Sequence, residues 1–133
     1  MTANSNLPNL DALAARTAQN IVQQVTDAKN LDILATKTLG VLQENGPYAM
    51  TLFLASRSRD IEKKIAQVIE KELFDQALLT VLFGSDISFP DGKEARLKFL
   101  AEQIAPDLDR LLLLKQVWEQ TLIYVRYGAK ARG

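Results

Sequence analysis

The chain has 133 residues, 47% hydrophobic and 24% charged, the size and composition of one globular domain with one core. It contains neither cysteine nor histidine, which excludes disulfides, thiolate metal sites and iron–sulfur clusters and removes the commonest general base and transition-metal ligand. Lysine plus arginine and aspartate plus glutamate number 16 each, so affinity for a polyanion has to come from local patches.

Residues 1–8 are polar and end in Pro8, the pattern of a loose N-terminal tail. They show no basic region leading into an apolar one, so no signal peptide is expected and the cytoplasm is the expected location. Asn9 is the expected N-cap of a first helix, with Leu10, Leu13, Ala14, Thr17, Ile21 and Val25 on one stripe at helical spacing. Asn30 is the expected cap of a second, with Leu31, Leu34, Ala35, Leu39 and Leu42 facing inward. "ENGP" ends it: Gly46 suits a left-handed C-terminal position and Pro47 the first turn of the next helix.

The third helix, Tyr48 to about Ser56, is apolar almost all round, which predicts a place at the centre of the core or under a partner. The longest stretch without a charge, Asn45 to Ser56, is too short to span a bilayer, which takes about 20 residues. A long fourth helix is expected from about Ser58 to Phe83, with Asp60 and Glu62 in its first turn and Asp60–Lys64 and Lys71–Asp75 at i,i+4 spacing. "GSDISFPDG" (84–92) reads as the clearest loop. A helix over Lys93 to Ile104, with Glu94 and Lys98 at pairing distance, breaks at Pro106, and a last helix runs from Asp107 to about Tyr127. No β segment and no repeat stand out. The prediction is an all-α fold, a single compact bundle of about five to six helices forming one domain over 1–133.

Most chemical motifs fail on inspection. Glu70 and Glu72 point about 200° apart on a helix and cannot share a site, so they read as solvated faces; Asp107 and Asp109 sit where helix N-termini carry acids. No Gly-rich phosphate loop precedes a helix, and a Ser or Thr nucleophile would have no histidine to activate it. The second and third helices resemble a helix-turn-helix, but "YAMTLFLA" offers almost no side chains that read bases. Neither a catalytic residue nor a cofactor or metal is expected.

Two basic stretches remain. Arg57, Arg59, Lys63 and Lys64 carry a net +2 over 57–64, and Arg126, Lys130 and Arg132 follow Glu119 with no further acid and with Tyr124 and Tyr127 between them. Basic side chains near aromatic rings suit a phosphate backbone with some base stacking. Against this, cations are ordinary at helix C-termini, and Tyr124 is expected to pack against Trp118 or its neighbours.

The stretch "LATKTLGVLQENGPYAMTLFLASR" resembles the hallmark of the small, all-helical subunit of type III-B CRISPR effector complexes, the fifth protein of the Cmr complex. The turn is Asn45-Gly46, the tight apolar helix Tyr48 to Ala55, and the closing pair Ser56-Arg57. "LDALAARTAQNIVQQV" resembles the family's Ala-rich first helix with its basic residue, here Arg16, and "LLLLKQVWEQTLIYVRYGAKA" its last. The likeness covers roughly 10–60 and 108–131; Gly40-Val41 and Pro47 depart from the family's usual Leu-Pro and Leu. The resemblance implies a non-catalytic subunit that stacks with copies of itself and with other CRISPR effector subunits, and that contacts guide RNA and target RNA backbone in antiviral defence. Arg57, Arg59, Lys63 and Lys64 are the expected RNA-binding residues, with Arg126, Lys130, Arg16 and Lys37 behind them. No membrane partner is expected. The alternative on composition alone is a helical protein–protein adaptor or homo-oligomerisation module without RNA binding.

Overall fold

The computed structural model describes residues 9–133; the expected tail at 1–8 lies outside the described residues. The order is α1 (Leu10–Gln24), α2 (Ala28–Ala55), α3 (Asp60–Leu73), α4 (Gln76–Phe83), α5 (Lys93–Phe99), a π-helical segment (Leu100–Ile104) and α6 (Leu108–Arg132), and no strand occurs among the described residues. The all-α bundle is as expected. Helices α1 and α2 pack along α6, and α3 crosses α2 and α1. The apolar stripes of α1, α2, α3 and α6 meet in one core around Trp118, Phe74, Leu42 and Ile21.

Local chemistry sets most helix ends. Asn9 caps α1, its side chain accepting from the Ala12 amide at 3.0 Å. Asp107 caps α6 by accepting from the Arg110 amide. The second helix starts at Ala28, three residues before the sequence reading placed it, because Asp27 is the better cap: its carboxylate accepts from both the amide and the side-chain Nδ2 of Asn30. Those bonds hold the Asp27 pKa below its ordinary value.

The break at "ENGP" takes the form of a kink. Gly46 has φ 91° and ψ −179° inside an otherwise helical α2, a region essentially restricted to glycine, and Pro47 needs no amide partner immediately after it. The apolar helix beyond the kink is less central than expected. Pro47, Met50, Thr51 and Leu54 are buried, but Tyr48 and Leu52 face outward at 42% and 45% exposure.

The expected long fourth helix is two. In a continuous helix the Leu73 carbonyl would receive the Ala77 amide; instead Asp75 accepts that amide, and that of Leu78, to cap α4, and the buried Trp118 indole donates to Leu73 O at 3.0 Å. The indole also meets the Phe74 ring edge-on at 5.1 Å between centroids. The helix expected over Lys93–Ile104 changes to π geometry after Phe99, with the Ala105 amide reaching back to Leu100 O.

Helix α6 runs beyond Tyr127 to Arg132, whose guanidinium donates to Val22 O and Val25 O and so caps the end of α1 from another helix. Close approach makes this reach possible: a Cβ on Gly128 would sit 3.1 Å from the Val22 side chain. Tyr124, expected to pack against Trp118 or its neighbours, is partly buried against the core; its hydroxyl donates to Asp11, and that carboxylate raises the phenol's pKa.

Glu70 is the largest departure. It is 3% exposed, not solvated, and accepts from Arg96 Nη1 of α5 at 2.7 Å. The local pairs Asp60–Lys64, Lys71–Asp75 and Glu94–Lys98 do not close; the ion pairs among the described residues are Arg96–Glu70, Arg110–Asp107, Lys115–Glu119 and Arg126–Asp32.

Candidate nucleic-acid interface

The corner between α2 and α3 holds four of the expected basic residues. Helix α2 ends at Ser56, the chain turns through 57–59, and Arg59 enters α3 in extended backbone conformation with no side-chain capping bond to that helix. Along α3 the buried side is Ile65, Ala66, Ile69, Glu70 and Leu73. The opposite side is therefore solvent-facing and carries Lys64, Gln67 and Lys71, with Lys63 exposed on its flank.

Lys71 lies beyond the expected basic stretch of 57–64, with Asp75 four positions on at pairing distance. That carboxylate is occupied with capping α4, so Lys71 joins Lys63 and Lys64. None of Arg59, Lys63, Lys64 and Lys71 makes an ion pair among the described residues. Of the nearby acids, Glu62 is half-buried, while Asp60 is exposed on the same face in the first turn, where the helix dipole favours it. The result is an exposed cationic face about two helical turns long, roughly 12 Å between the Lys63 and Lys71 levels.

Arg57 is not displayed as expected. It is half-buried, its guanidinium carbon lies 4.0 Å from the Phe53 ring centroid, its Nε donates to Phe53 O at 3.0 Å, and its Nη2 donates to Ser56 Oγ at 3.1 Å. A guanidinium beside the last carbonyls of a helix replaces amide donors that the helix lacks there.

The remaining basic residues divide. Arg16 on α1 and Lys37 on α2 are exposed and unpaired among the described residues. Arg126 was read as facing no acid, yet its Nε lies 3.7 Å from Asp32 Oδ1 of α2. Lys130 is exposed and lines a hollow of ≈ 340 Å³ with Ala28, Lys29, Asp32, Ala129 and Gly133. This second region mixes charges, whereas the outer face of α3 is more uniformly basic.

Among the described residues no cluster of acids is placed to hold a metal ion, and no helix is long and apolar enough to cross a membrane. No family model, curated protein or solved structure matches the chain.

Proposed function

We propose that this chain is a non-catalytic, RNA-contacting subunit of a type III-B CRISPR (Cmr) ribonucleoprotein effector. In this reading the outer face of α3 lies against RNA backbone, and base pairing between guide and target supplies sequence specificity, a division of labour used by other RNA-guided effectors. The observation that carries the RNA contact is the exposed, unpaired set Arg59, Lys63, Lys64 and Lys71 at the α2–α3 corner. Surface cations that neutralise backbone phosphates release the counterions condensed on the nucleic acid, which favours binding. The assignment to a Cmr complex rests on the resemblance of 10–60 and 108–131. A neutral chain suits an assembly in which several copies each supply a few phosphate contacts and act multivalently.

A salt series tests the contact. Binding of single-stranded RNA should weaken linearly in log–log form as salt rises, with a slope of about 0.7 per phosphate contact, and should be indifferent to sequence. Salt-independent binding would refute a backbone contact.

One observation favours the adaptor reading. Tyr48 and Leu52, at 42% and 45% exposure, and Leu108 and Leu112, at 65% and 54%, are outward apolar pairs one turn apart, the spacing by which a helix face engages a protein partner. That reading predicts oligomers insensitive to salt and no RNA protection.

A further inference from the structure

The placement of Arg57 fits a different task from phosphate gripping. An arginine clamps a phosphate with two adjacent N–H groups of its fork. Here the Nε–Nη2 edge is already taken up by Phe53 O and Ser56 Oγ. The guanidinium carbon sits over the Phe53 ring, 4.0 Å from its centroid, and Phe53 is itself held against the core. Its inner π face is thus covered and its orientation fixed from three sides. No carboxylate neutralises it and no second ring covers the outer face among the described residues.

We infer that Arg57 on Phe53 is a stacking platform for an unpaired nucleobase beside the phosphate-contacting face of α3. The inference rests on the RNA-contact reading and adds the part of the ligand that meets Arg57. RNA-binding proteins stack splayed bases on aromatic rings and on arginine planes. A guanidinium backed by a ring presents a flat, cationic, weakly hydrated surface, which a lysine cannot reproduce. Its rotamer is fixed before the ligand arrives, so little further ordering is required on binding. Arg59, two residues on, is exposed and unpaired, available for the phosphate of the same strand.

The test titrates the full chain with two labelled single strands of equal phosphate number, an oligoadenylate and an abasic strand. The wild type is expected to bind the oligoadenylate roughly fivefold or more tightly, the lower end of what one stacked base contributes. Arg57→Lys keeps the charge, and is expected to abolish that preference while leaving the salt slope unchanged. Phe53→Leu, which removes the ring beneath the guanidinium, is expected to do the same, whereas Arg59→Lys keeps the preference. Circular dichroism of each variant establishes that it is folded. Equal binding of both strands by the wild type overturns the platform and leaves the backbone contact standing, as does a folded Arg57→Lys that keeps the preference. An aromatic protein partner in place of a base would give that same equality. Binding of neither strand at low salt overturns the RNA-contact reading itself.

Discussion

Replacing Glu70 with methionine is expected to destabilise the protein by about 3 kcal/mol, the low end of the cost of removing one partner from a buried ion pair. The carboxylate side chain is 4% exposed and that of Arg96 16%. Arg96 Nε already lacks a hydrogen-bond partner, and the Phe74 ring, 5.5 Å away, offers only its π face. Without Glu70 the guanidinium keeps that weak contact or withdraws to water, and its small residual exposure is why the low end applies. In a chain of 133 residues such a loss corresponds to a fall in Tm of about 10 °C. The double variant Glu70→Met with Arg96→Met removes both charges and should recover to within about 1 kcal/mol of the wild type. Urea and thermal melts followed by circular dichroism give all the corners of the cycle. A single variant within about 1 kcal/mol of wild type, or a double variant no more stable than the singles, would refute the claim that an uncompensated buried charge is what costs stability.

Gly46→Ala should destabilise by about 2 kcal/mol through backbone strain alone, since an added Cβ meets nothing within 4 Å at φ 91°; Gly40→Ala, in open space within α2, should stabilise by up to about 1 kcal/mol. Denaturant melts of the two variants should therefore move in opposite directions. The Asp27 pKa is lowered from 3.8 in the folded chain, so its contribution is present above that value and lost as pH falls through the folded pKa. Asp27→Asn should flatten the acid limb of the stability–pH curve, read from melts below about pH 4. Lys63→Gln with Lys64→Gln should weaken single-stranded RNA binding equally for all sequences and flatten the salt slope by about 0.7 per contact removed, while the melting temperature stays unchanged because both side chains are exposed.

What the sequence disclosed was mostly local. Asn9 and Asp107 cap as their neighbours suggest, and the Asn45-Gly46-Pro47 turn breaks its helix, because those signals act within a few residues. Hidden features are long-range. Trp118 and Leu73 are 45 residues apart, Arg96 and Glu70 are 26, and Arg132 and Val22 are 110; helical spacing carries no information about any of them. One signal did exist: Glu70 follows Ala66 by four residues and precedes Leu73 by three, inside the buried stripe of α3, where a carboxylate needs a partner.

The candidate interface divides along the same line. Lys64 is exposed as its position opposite the α3 stripe requires, and Lys63 is exposed on the flank of that stripe, but Lys71 emerges only once Asp75 is seen capping α4. Arg57 turns inward because the ring and carbonyl of Phe53, one turn back, satisfy it better than open water.

The most direct test of the central claim is purification of the tagged chain from its native cells, with mass spectrometry of the proteins and sequencing of the RNA that accompany it. The account predicts the other CRISPR effector subunits together with repeat-derived guide RNAs, and loss of the RNA from the chain when Arg59, Lys63, Lys64 and Lys71 are neutralised together. A preparation holding unrelated proteins and no RNA would contradict it.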